Sequence, residues 1–210
     1  MALNRQLFTI GHSTHQAERF LALLKMHGVT ALCDVRSIPH SRMNPQFNRG
    51  ELSQYLRSAG ISYVFLGKEL GGRTDDSSCY ENGRVAYDRL AQREIFRKGL
   101  ERIRDGAEKY RIALMCAEKD PPECHRTILV ARYLEALEFD VQHILADGRL
   151  ENHVDTINRL VVQFNLTEPH IFRSHQDVIA EAYRLQERRI AYVRNDSEDS
   201  QSSATRSARA

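Results

Sequence analysis

The feature that most constrains this chain is a regular alternation of short apolar runs with stripes of apolar residues at helical spacing. Leu7-Phe8-Thr9-Ile10 stops at Gly11-His12-Ser13, after which Ala17, Phe20, Leu21 and Leu24 share one helical face and Gly28 supplies a stop. Ser13 with Gln16 three residues on predicts a capping box at the start of that helix. Val29–Val35, Ile61–Leu66, Ile112–Cys116 and Val141–Leu145 predict further strands. Between them, Leu52/Tyr55/Leu56/Ala59, Phe96/Leu100/Ile103/Ala107/Tyr110 and Val130/Tyr133/Leu134/Leu137 predict helices, and Gly67–Gly83 predicts a long loop. Strands that are apolar on both faces, separated by amphipathic helices, predict an α/β fold. Its sheet is parallel or mostly parallel, of about five strands, and flanked by helices.

After Asp147-Gly148 the pattern changes. Leu150, Val154, Ile157, Val161 and Phe164 predict one helix, and a second is expected from about His170 to Val193. Residues 194–210 are rich in Ser and carry nothing more apolar than Ala, the composition of a disordered tail. The expected organisation is therefore an α/β domain over 1–150, a C-terminal helical extension over 151–193, and the tail.

Composition excludes several classes. The chain of 210 residues is 41% hydrophobic and 28% charged with a formal net charge of +2, so bulk charge points to neither nucleic acid nor membrane. No apolar stretch is long enough to span a bilayer, and Met1–Leu7 does not read as a secretory leader. The four cysteines form no dense framework, so a reducing, cytoplasmic setting is expected.

In open α/β sheets the ligand site lies beyond the carboxyl ends of the strands. Those ends carry Gly11-His12-Ser13, then Asp34, Arg36 and Ser37, then Gly71-Gly72-Arg73, then Cys116, Glu118 and Cys124-His125-Arg126, and last Asp147. If Pro122 opens a helix, Cys124 falls in its first turn, where unpaired N–H groups, His125 and Arg126 favour a thiolate and make Cys124 a candidate nucleophile. A small buried Cys packed under a helix start explains the same residues. Cys116, at a strand end, reads more as core. His12 is a candidate acid or base, and its neighbouring N–H groups a seat for an anion. Arg36, beside Asp34, and Arg73, beside Gly72, are candidate anion forks. Cys116 and Cys124 are separated by seven residues, which fits neither C-x-x-C nor a zinc knuckle, although with His125 and His12 they can be drawn as a tetrahedral site. A loop of that length can also close a disulfide. There is no P-loop, no G-x-G-x-x-G, and no Arg six residues after either cysteine. Between Arg36 and Lys68, five cations face one acid, Glu51, with His40, Asn44, Gln46, Phe47 and Asn48 interleaved. Such a segment suits a nucleotide or nucleic acid, and equally a solvated basic face.

Thr9–Thr14, Asp34–Pro39 with Ser41 and Asn44–Phe47, Leu66–Arg73, Tyr87, Met115–Glu118 and Cys124–Arg126, in this order, resemble the domain of unknown function 488 family over roughly residues 7 to 150. The resemblance implies a compact α/β domain, usually bacterial or archaeal, with a shared pocket. It assigns no reaction. By matching position it singles out His12, Ser13, Asp34, Arg36, Pro39, Gly72, Arg73, Glu118, Cys124, His125 and Arg126. Cys33 and Cys79 stand outside these motifs.

Together the residues predict an enzyme with an anion-binding pocket at the strand ends, acting on a nucleotide, nucleic acid or other phosphate-bearing molecule by cysteine-dependent transfer or hydrolysis. Cys124, His12, His125, Asp34 and Glu118 are its expected catalytic groups. Ser13, Arg36, Gly72, Arg73 and Arg126 are its expected anion-binding groups, and no cofactor is implied. The alternatives are a non-catalytic nucleotide or nucleic-acid sensor and, behind it, a Cys/His metalloprotein.

Overall fold

The computed structural model describes residues 6–167 and 174–194. The expected tail, apart from Arg194, and the first residues of the expected second extension helix lie outside them. The sheet is built from β1 (Gln6–Gly11), β2 (Ala31–Asp34), β3 (Ser62–Phe65), β6 (Ile112–Cys116), β7 (Asp140–Ile144) and β8 (Leu150–Asn152), in the order β3-β2-β6-β1-β7-β8. Every pairing is parallel except β7 with β8. A two-stranded ribbon, β4 (Tyr80–Glu81) and β5 (Arg84–Val85), stands apart.

The alternation along each strand divides the core into two layers. Leu7, Ala31, Cys33, Ile112, Leu114, Cys116 and Val141 point to one face, and Phe8, Ile10, Leu32, Ala113, Met115 and Ile144 to the other. The second face is covered by α1 (Ala17–Met26) and α2 (Arg49–Ser58), through Phe20, Leu23, Leu24, Leu52 and Leu56. Burying each of these side chains is worth roughly 1.5–3 kcal/mol. The first face is covered by α4 (Tyr87–Gln92), α5 (Glu94–Ala107), α6 (Arg132–Ala136), α7 (His153–Gln163) and α8 (His175–Ile190). A short α3 (Gly67–Leu70) lies in the segment expected to be loop. Ile157, Leu160, Ala182, Tyr183 and Ala191 of the extension belong to the same apolar cluster as the sheet.

Three local expectations are corrected. Leu150 belongs to an edge strand, not to the helix that follows it, which brings the sheet to six strands. Ser13 does not cap α1. It adopts φ +47°, and the N-cap is Gln16, which makes no side-chain capping bond. The helix after the two prolines does not begin at Pro122. Pro121–Glu123 forms a separate 3-10 turn, Cys124 is extended, and the helical segment starts at His125. From Arg126 to Ala131 that segment is a π-helix, wholly buried, before it continues as α6. Among the described residues no helix is long and apolar enough to cross a membrane.

The topology places the site. The chain leaves β1 over one face through α1 and leaves β6 over the other through the π-segment and α6, although β1 and β6 are neighbours. The carboxyl ends of this pair form the topological switch point, where open α/β sheets leave a crevice. Gly11 is in register with Cys116 there.

Candidate functional site

A cavity of about 510 Å3 opens over that crevice, lined among others by His12, Arg36, Arg73, Cys116, Glu118, Cys124 and His125. Of the ten expected site residues, His12, Arg36, Gly72, Arg73, Glu118, Cys124 and His125 line it, and Ser13 and Asp34 do not. Arg126 does not line it.

Cys124 is the extended residue between the proline turn and the helical segment. Its carbonyl accepts from the N–H groups of Thr127 and Ile128, and its sulfur accepts the N–H of Arg126 at 3.4 Å. His125 Nε2 lies 3.0 Å from the Val35 carbonyl, an acceptor only, so Nε2 carries hydrogen and Nδ1 is the nitrogen that titrates. That Nδ1 faces both sulfurs, Cys116 at 3.6 Å and Cys124 at 3.8 Å. Burial opposes a charge on Cys124, but the Cys116 S–H, the Arg126 charge and His125 outweigh it and push the thiol well below its ordinary range. Burial and the neighbouring Cys124 drive Cys116 the other way, so it stays a thiol. Burial disfavours the charged imidazole of His125, and the Cys124 charge overcomes it, so its pKa rises. Both shifts favour the charged forms, a thiolate on Cys124 and an imidazolium on His125, with the second sulfur, Cys116, beside them. Burial and the Cys124 charge raise the pKa of the Glu118 carboxyl.

The other expected site residues take different roles. The backbone N–H groups of His12 and Ser13 are not free for an anion, because they donate to the carbonyls of Cys116 and Ala117 at 2.9 and 2.8 Å. Ser13 does not line the cavity. His12 Nε2 accepts from Arg36 Nη1 at 3.2 Å, so Nδ1 carries hydrogen and donates to the Ser13 carbonyl. Burial, with Arg36 beside it, lowers His12 to about 4, which leaves it neutral at pH 7 and unable to act as an acid. Arg36 spends Nε and Nη2 on Asp34, with a further Nη2 bond to the Phe47 carbonyl. Asp34 is fully buried and also accepts the Tyr63 hydroxyl, so it orients Arg36 and does not meet the cavity. Arg126 is fully buried and donates to the Glu118 carbonyl at 2.8 Å, fixing the loop after β6 and acting on Cys124 by its charge. A Cβ at Gly72 would lie 2.9 Å from His125 Cγ, so the glycine makes room for the imidazole. Arg73 is the exposed cation at the cavity. Its N–H donates to Ser37 Oγ at 3.0 Å and its guanidinium lies 4.3 Å from the Tyr192 ring centre. Asp147 sits in the β7–β8 turn, paired with Arg149, away from the cavity.

Of the basic segment, Arg36 lines this cavity and Lys68 a neighbouring one, which meets the first at Ser37, Ile38, Arg73 and Tyr192. Arg49 lies over the Phe65 ring. Cys116, Cys124 and His125 offer three donor atoms within 4.8 Å of one another, a set able to take a soft ion. His12 does not complete it, since its free nitrogen faces Arg36. The sequence reading passed over Tyr87, a buried wall of the cavity already present in the resemblance motifs, and treated Cys116 as core. It also passed over Ile190 and Tyr192, cavity walls supplied by the extension. No local signal marks those two, because only the docking of α8 brings them to the strand ends.

No curated protein and no solved structure matches the chain. Residues 16–152 match the family described as Domain of unknown function DUF488, a span that carries Asp34 through His125 and leaves β1, α7 and α8 on either side. The match covers well over half of the chain, and the protein belongs to the DUF488 family.

Proposed function

We propose that this protein is an enzyme in which Cys124 attacks an electrophilic centre of an anionic substrate seated in the cavity. The observation that supports this reading most is the environment of the Cys124 sulfur: the Arg126 backbone N–H, the His125 nitrogen and the Cys116 thiol converge on it at the floor of a cavity. A sulfur held as thiolate is the nucleophilic form, and a packing cysteine needs none of these donors. Arg73 at the cavity holds the anionic group of the substrate, a phosphate in a nucleotide or nucleic-acid end. The Glu118 carboxyl or the His125 imidazolium protonates the leaving group. Arg36, His12, Asp34 and Arg126 keep the strand ends and the cysteine loop in place.

The test is the pH dependence of alkylation by iodoacetamide, a probe small enough for the cavity, with the modified residue located by peptide mapping. Cys124 is expected to react at a rate already level by pH 7, whereas an ordinary cysteine titrates near pH ~8.5. A midpoint at or above that value overturns the nucleophile. A thermal-shift series with ATP, AMP and inorganic phosphate tests the anion, because a ligand of the native state raises the melting temperature by mass action. Loss of that shift in Arg73→Ala supports Arg73 as the contact. A sensor without chemistry would bind equally well in Cys124→Ser and form no adduct.

A further inference from the structure

Resting on Cys124 as the reactive sulfur, we propose that Cys116 is its resolving partner and that the site takes a disulfide carrying an anionic group, which it reduces by dithiol exchange. Simple transfer or hydrolysis needs one sulfur. Here two thiols arrive from separate elements, the end of β6 and the extended residue after the proline turn, and meet within 4.8 Å with His125 Nδ1 beside both. Both also line the cavity, whereas Cys33 and Cys79, equally buried, do not.

The steps balance. The Cys124 thiolate attacks one sulfur of R–S–S–R′, a Cys124–S–S–R bond forms, and R′–S⁻ leaves, taking the Nδ1 proton of His125. The neutral imidazole then accepts the Cys116 proton. The Cys116 thiolate attacks the Cys124 sulfur, the Cys116–Cys124 bond forms, and R–S⁻ leaves with the same proton. The net change is two thiols released and one protein disulfide made, and a small-molecule thiol reverses it to regenerate the enzyme. The two sulfurs, within 4.8 Å of each other, close to the ~2.05 Å of a disulfide in this last step. Arg73 and Tyr192 at the cavity wall provide a cation and an aromatic surface for the part of the substrate that does not react.

The probe is oxidised glutathione, an anionic disulfide, added to the full-length protein and followed by intact mass and non-reducing peptide mapping. Wild type is expected to end with a Cys116–Cys124 disulfide and no retained glutathione. Cys116→Ser is expected to accumulate a mixed disulfide on Cys124, and Cys124→Ser to form neither product. If Cys116→Ser does not fold, Cys116→Ala serves, and the wild-type map stands on its own. Glutathione retained on wild-type Cys124, pairing with Cys33 or Cys79, or protein isolated with stoichiometric zinc and inert to the probe overturns the resolving role. Failure of iodoacetamide to reach Cys124 at neutral pH instead overturns the nucleophile, so the two failures are told apart.

Discussion

Asp34 and Arg36 form a buried pair of which only Arg36 lines the cavity, with 0% and 5% side-chain exposure and a 2.7 Å contact between Oδ2 and Nη2. The pair is weak support for stability as a whole, but removing one partner strands the other charge. Asp34→Ala is expected to cost about 3–5 kcal/mol, measured by urea unfolding, and to disturb His12, whose free nitrogen faces Arg36. A loss below about 1 kcal/mol, the level of an exposed pair, would show that water reaches Arg36. Gly72 tests the thiolate from a different side. In Gly72→Ala the new methyl meets His125 Cγ at 2.9 Å and Cβ at 3.0 Å, so the ring must move off the sulfurs. The midpoint of Cys124 alkylation is expected to rise by about one pH unit, the energy of one hydrogen bond to a charged group. An unchanged midpoint would mean that His125 does not set the thiolate. Both assignments were legible only in part from sequence. Asp34-Val-Arg36 and Cys124-His-Arg126 announce charged groups at strand ends, but which donor is spent internally depends on contacts with His12, Phe47 and Glu118 that no spacing reveals.

At the scale of elements, a buried chain of hydrogen bonds ties β1, β7, α7 and α8 together. Thr9 Oγ1 lies 2.7 Å from His143 Nδ1, His143 Nε2 lies 3.0 Å from His153 Nδ1, and His153 Nε2 lies 2.8 Å from the Tyr183 hydroxyl. Each imidazole gives one hydrogen and receives one, which requires both to be neutral. Burial accordingly lowers His153 to about 4 and His143, with His153 and Arg126 near it, well below the ordinary value. The sign follows from linkage. Above pH ~6.5 neither state is protonated at these rings. Below it the unfolded chain takes up protons that the folded chain refuses, so stability falls with pH until the folded pKa is reached. Each such histidine contributes a slope of about 1.4 kcal/mol per pH unit near pH 5. His153→Gln, which keeps hydrogen bonding but does not titrate, is expected to reduce the slope of unfolding free energy against pH by that amount. An identical slope in the variant would mean His153 is protonated in the fold. The strands and helices in this network were readable from their apolar periodicity. The network was not, because His143 and His153 look like ordinary polar residues until two elements stack them.

For the molecule as a whole, the extension beyond the family match completes the site. Gln186 on α8 is buried and donates to the Pro122 carbonyl at 3.0 Å, two residues from Cys124. Beyond α8, the Arg84–Val193 bridge and the Arg194 N–H to the Gly83 carbonyl strap the chain to the β4–β5 ribbon, which places Tyr192 against Arg73. A chain ending at Asn152 is expected to expose the apolar surface now under Ile157, Leu160, Ala182 and Tyr183 and to lose one cavity wall. Strong binding of a hydrophobic dye and loss of the sharp thermal transition would report this. A truncated chain that melts cooperatively without binding dye would show the extension to be dispensable for folding. Read alone, the sequence determined the α/β class, the mostly parallel strands, and the placing of His12, Arg36 and Cys116 just at or beyond strand ends, because short-range periodicity and the position of each turn are local properties of the chain. Only the tertiary structure decided the strand order, the antiparallel edge at Leu150, the meeting of Cys116 with Cys124, and the wall built from Tyr192. Each of these depends on residues far apart along the chain being packed together, a relation that a linear pattern does not contain.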